Sequence, residues 1–137
     1  MPEGEGPSLH RSLPASRHRL VLRFDLASLG LEGPEGVERA ILAMAPAAEG
    51  PVPREAVRVT VRGHDRGGWD PAPVGAAVAP GGVRAGVRVD VTASLRARLR
   101  DPAAEFTLGV ETDGPTLHFA GLGGPAEDLP RLEILSP

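Results

Sequence analysis

Leu20, Leu22, Phe24 and Leu26 alternate with more polar neighbours in Arg19-Leu20-Val21-Leu22-Arg23-Phe24-Asp25-Leu26. Val87, Val89 and Val91 alternate in the same way with Arg88, Asp90 and Thr92. Between them, Val57, Val59 and Val61 are interleaved with Arg58, Thr60 and Arg62, the clearest period-two signal in the chain. Side chains two apart lie on the same face of a pleated strand, so each stretch can bury one face and wet the other. Phe106, Leu108 and Val110 continue the pattern, Asp113-Gly114 supplies a turn, and Leu117 with Phe119 and then Leu132 with Ile134 complete it.

The remaining segments qualify this picture. Val37 to Ala45 is a nearly continuous apolar run; its short length and the flanking Gly36 and Pro46 favour a buried strand over a helix. Gly63 to Gly82 reads as a long Gly/Pro-rich loop, the expected place for a functional surface. One short helix is predicted over Ala93 to Arg100, with Thr92 as its cap, Leu95 and Leu99 on one face, and Asp101-Pro102 as its stop. Short strands punctuated by Gly and Pro predict an all-β fold, an antiparallel sandwich or jelly roll with one short helix. Leu22, Phe24, Val59, Val89, Phe106, Leu108, Phe119 and Leu132 are expected in one core. Residues 1–17 are polar and rich in Pro and Gly and are expected to form an extended arm; 18–137 are read as a single sandwich domain.

Composition narrows the function classes. A chain of 137 residues buries roughly two-thirds of its unfolded surface and needs no covalent staples. Its net charge of −3 offers no basic footprint for nucleic acid. With no cysteine, disulfides and thiolate metal sites are excluded. No apolar run reaches the roughly 20 residues of a membrane-spanning helix, so membrane insertion is not expected. Met1 to Gly6 has neither the basic nor the apolar region of a secretory signal. All 15 basic residues are Arg, and Lys, Asn, Gln and Tyr are missing, which fits a GC-rich bacterial or viral genome.

The chemistry-bearing residues form no catalytic pattern. His10, His18, His64 and His118 lack the close spacing of metal-binding pairs, so no metal site is predicted. The six serines lie in no nucleophile elbow, and no cofactor motif occurs. The Gly-rich turns at Gly81-Gly82 and Gly121 to Gly124 lack the Lys of a phosphate loop. The most suggestive segment is His64-Asp65-Arg66-Gly67-Gly68-Trp69-Asp70. Asp65 and Asp70 there could ligate calcium or a sugar with Trp69 as a stacking platform; alternatively the segment is a hairpin tip whose Trp folds back onto the core. The second alternative is favoured, because a lone Trp is more often buried than displayed. Arg58, Arg62 and Arg88 are read as a wetted sheet face balanced by Asp90 and Glu105.

Leu22-x-Phe24-Asp25-Leu26, Val37-x-x-Ala40-x-Leu42, Val89-Asp90-Val91-Thr92 before a short helix, Phe106-x-Leu108 and Pro130-x-Leu132 resemble the DNRLRE-type bacterial surface domain. The Phe-Asp-Leu and Asp-Val-Thr pair is also similar to the propeptides of transforming-growth-factor-β ligands. The first resemblance implies a jelly roll of secreted and cell-wall proteins, related to carbohydrate-binding modules; both imply a non-catalytic sandwich. The name-giving motif and a second Trp of the bacterial family are missing here.

The expected function is therefore a non-enzymatic structural or assembly module of a cell surface, fibre or virus particle. It would act on further copies of itself or on a neighbouring assembly protein, with Leu9, Arg11 and Leu13 as a partner-binding arm that adds to a strand edge. The alternative is a carbohydrate-binding module using His64, Asp65, Trp69 and Asp70. A surface location follows from the resemblance alone, with a cytoplasmic or virion location as the alternative.

Overall fold

A long strand with valine at every second position needs partners on both edges and an apolar layer on one face. Val57–Asp65 meets both needs at the centre of the computed structural model, which describes residues 13–26, 30–31, 33–47, 51–65, 68–100, 105–121 and 129–137. In chain order the strands are β1 (Leu13–Ala15), β2 (Leu20–Asp25), β3 (Arg39–Met44), β4 (Val57–Asp65), β5 (Gly68–Trp69), β6 (Gly75–Ala79), β7 (Val87–Asp90), β8 (Glu105–Thr112), β9 (Leu117–Phe119) and β10 (Arg131–Leu135). The helix α1 (Thr92–Arg100) lies between β7 and β8, and Pro34–Gly36 form a 3-10 turn before β3. No described helix is long and apolar enough to cross a membrane.

The main sheet runs β2-β8-β4, with β6 and then β5 along the far edge of β4. All its pairings are antiparallel; Leu22 faces Leu108, Phe24 faces Phe106, and Val61 faces Val110. A second sheet, β10-β3-β7, supplies Ala40, Leu42, Met44, Val87 and Val89 to the same core. β9 continues this layer through a bridge between Pro46 and Phe119, and β1 pairs with β9. Leu22, Val59, Val89, Phe106, Leu108 and Phe119 share one buried cluster, with Phe24 and Leu132 packed half-buried against it. The all-β sandwich with one short helix is thus the observed fold.

The apolar run before Pro46 is the central strand of the second sheet. Ala40, Leu42 and Met44 face the core, while Ile41 and Ala43 are buried on the opposite face. Their cover is charged: an Arg88–Glu133 ion pair spans β3, with Arg131 on Glu133 at 2.8 Å. Arginine stems shield apolar surface while their heads stay wet, so the outer face of β3 can be as apolar as the inner one, beneath a polar roof. Arg131 and then Arg88 hold the Glu133 carboxyl below its usual range.

Three details depart from the sequence reading. The expected loop from Gly63 to Gly82 contains the end of β4, β5 and β6. β6 is Gly-Ala-Ala-Val-Ala, weak in strand propensity and almost without alternation, yet it must be small. A Cβ on Gly75 would lie 2.6 Å from Val89 Cγ1 and 2.7 Å from the Asp90 carbonyl, where β6 abuts β7. Second, the start of α1 is capped by Asp90 in place of Thr92. Its carboxylate accepts the Thr92 N–H at 2.9 Å and the Thr92 hydroxyl at 2.6 Å. The Thr92 hydroxyl is used on the neighbouring strand, accepting the Ala40 N–H at 2.9 Å. Third, the arginines find other acids than Asp90 and Glu105. Arg62 pairs with Glu111 and Arg88 with Glu133, because cross-strand register sets the neighbours; Glu105 lies opposite Asp25. The segment expected to be an arm contributes Leu13–Ala15 to the fold as β1, with Pro14 on an edge where its missing N–H costs no ladder bond.

Two outcomes follow from this packing. Leu108→Ala, at a fully buried position on the central pairing, lowers the unfolding free energy by about 3 kcal/mol in denaturant titration. The Thr92 hydrogen bonds hold the Asp90 carboxyl below its ordinary value of 3.8, so its contribution is complete above that pH and is lost as pH falls through the lowered folded value. Asp90→Ala costs about 1 kcal/mol at neutral pH and flattens the acid limb of the stability profile.

Candidate functional site

The outer face of the main sheet has one position without a side chain. Gly109 on β8 lies between Val21 of β2 and Arg62 of β4 and is buried although it faces away from the core. A Cβ there would stand 2.3 Å from Arg19 Cδ and 2.8 Å from Trp69 Cζ3, so the arginine stem and the indole rest directly on bare backbone. The Arg19 guanidinium carbon is 4.6 Å from the Trp69 ring centroid, a cation–π contact. His64, opposite Trp69 across the β4–β5 hairpin, meets the indole edge-on with centroids 4.8 Å apart and planes at 78°.

Glu111 ties the cluster together. Its two oxygens take Arg62 Nε at 2.9 Å and Arg19 Nη2 at 3.3 Å, all three side chains being more than two-thirds buried. Arg62 also donates from Nη1 to the carbonyls of Asp70 and Pro71, anchoring the chain as it leaves β5. Arg19 Nε is buried without a hydrogen-bond partner. The arrangement is a latch: the only carboxylate among these groups bridges two guanidiniums, and one of those guanidiniums occupies a face of the indole.

The sequence candidates divide here. His64 and Trp69 come together, Trp69 half-buried and His64 exposed. Asp70 follows Trp69 in extended chain and turns away from it, its carboxylate lying by Gly63 and Ser94 near α1. Asp65 pairs with Gly68 in the backbone register of the hairpin. Among the described residues no group of three or more His, Asp or Glu is placed to hold a metal ion. Leu13 lies in β1 opposite Phe119; Leu9 and Arg11 lie outside the described residues. Arg19, Gly109 and Glu111 escaped the sequence reading, since nothing in their spacing signals that β2, β8 and β4 lie side by side.

A second feature lies at the opposite edge of the main sheet. Among the described residues β2 pairs with β8 on one flank only and is the terminal strand. Beside it runs a mostly apolar groove of about 250 Å³ lined by Leu13, Leu22, Arg23, Phe24, Gly121, Leu129 and Pro130. Val21 is 40% exposed on the same strand, beside the exposed Arg23 and Asp25.

No family of known proteins matches the chain, and no curated protein does.

The latch depends on the missing side chain at Gly109. Gly109→Ala displaces the indole and the Arg19 stem, moves the emission of the single Trp to longer wavelength, and costs roughly 1–3 kcal/mol of stability. Fluorescence and denaturant titration on the same sample read both effects.

Proposed function

We propose that this chain is a non-catalytic assembly module that works through protein–protein contacts, its partner being a further copy or a neighbouring protein of a surface layer, fibre or particle. The observation that supports this reading is that, among the described residues, β2 is the last strand of its sheet and lies beside an apolar groove. Unpaired strand edges are templates for another chain, and natural domains blunt or cover them when they have no use. Here the strand contributes Leu22, Arg23 and Phe24 to the groove.

Chemistry gives less support to catalysis. The ionisable groups of the outer-face cluster are spent on one another and on backbone carbonyls. A carbohydrate-binding reading retains one supporting observation, the half-exposed Trp69 beside His64. Against it, a sugar platform needs an open aromatic face, and Arg19 lies over this one.

Oligosaccharide titration separates the two readings. Trp69 emission stays unchanged on adding a panel of soluble glycans; a saturable shift, together with glycan binding in titration calorimetry that Trp69→Ala abolishes while the circular dichroism stays native, overturns assembly in favour of carbohydrate binding.

A further inference from the structure

We propose that the Arg19–Glu111–Arg62 cluster is an acid-sensitive latch on Trp69. Protonation of Glu111 releases Arg19 from the indole and lets the Trp69 side chain swing off Gly109 into water, while both sheets stay folded. The device goes beyond the assembly reading and does not depend on it.

Charge balance makes Glu111 the keystone. Its carboxylate faces two guanidiniums, Arg62 Nε on one oxygen at 2.9 Å and Arg19 Nη2 on the other at 3.3 Å, with all three side chains mostly out of water. Taking away that negative charge leaves two mostly buried cations side by side without a counter-charge, which is strongly unfavourable. Arg62 has a second hold, since its Nη1 donates to the carbonyls of Asp70 and Pro71. The head of Arg19 has only the indole face, and its Nε is already buried without a hydrogen-bond partner. Arg19 therefore leaves first, because moving outward hydrates both the guanidinium and that orphaned N–H.

Among the described residues, the other ionisable groups around the cluster are already occupied or act only through the ring. His64, from the end of β4, touches the indole edge-on. Asp113, two residues beyond Glu111, accepts the Arg58 N–H. The Asp70 carboxylate lies by Gly63 and Ser94, and Thr60, opposite Glu111 on β4, carries no charge. The fold is insulated from the latch. Val59, Val61, Leu108 and Val110 are buried on the opposite face of the same strands, and β5 is held to β4 through backbone, including the Asp70 N–H to the Gly63 carbonyl at 2.9 Å. Side chains can thus move while the ladder stays.

Trp69 is the single tryptophan, so its emission reports the latch directly. Fluorescence and far-ultraviolet circular dichroism are followed together as pH is lowered from about 7 to about 3. Emission moves to longer wavelength, and quenching by acrylamide increases, while the circular dichroism is still native. Glu111→Gln shows the long-wavelength emission already at neutral pH, with native circular dichroism and no further acid step. Arg19→Met is an independent check: it keeps a stem over Gly109 but has no charge to release, so its Trp69 emission stays constant until the chain unfolds. His64→Phe retains the acid step, which assigns that step to Glu111. An emission change that only accompanies loss of the circular dichroism signal overturns the latch, as does an acid step that persists in Glu111→Gln and Arg19→Met or disappears in His64→Phe. No glycan or partner is present in these measurements, so failure of the latch is distinct from failure of the assembly reading.

Discussion

The pairing of β4 with β8 governs everything else in this molecule. On its inner side it brings Val59, Val61, Leu108 and Val110 together with essentially no solvent exposure, and these anchor the layer against β3. Its outer side places Gly109 beside Arg62 and Glu111 diagonal to Arg62, the geometry on which the Arg19–Trp69 latch rests. One register thus sets a dry face and a polar face at once. A slip of one residue would exchange them, which is why a strand with one buried face is held so firmly.

Arginine is the second organising element. Beyond ion pairs, guanidiniums close open backbone: Arg62 reaches the carbonyls after β5, Arg84 that of Ala47, Arg96 that of Val37 at 2.7 Å, and Arg98 that of Glu105. A chain with 15 prolines has many peptide units that donate no N–H, so carbonyls next to them must find donors elsewhere. A planar fork of five N–H groups on a long stem suits that task, and Lys, Asn and Gln do not occur here to share it. The Arg-rich composition therefore has a structural use whatever its genomic origin.

The two flanks of the sandwich are treated differently. On one, β6 of the main sheet meets β7 of the second so closely that Gly75 has no room for a side chain. On the other, β2 ends its sheet beside the apolar groove.

How much of this was legible beforehand follows from which physics is local. Alternation in β2, β4, β7 and β8 is a property of consecutive residues, so those strands, the core they share and the fold class could be read from the order of residues alone. The short helix after β7 was visible for the same reason. β6 was hidden because its smallness answers to Val89 and Asp90, residues distant in sequence, and Asp90 displaced Thr92 as the cap because the Thr92 hydroxyl is claimed by Ala40. Trp69 and His64 stood out as residue types, and their hairpin made them neighbours; Asp70 fell on the opposite face by simple alternation. The latch itself needed tertiary structure. Arg19, Gly109 and Glu111 acquire meaning only when three strands lie side by side, since cross-strand contacts depend on register, and register is set by the packing of the whole core.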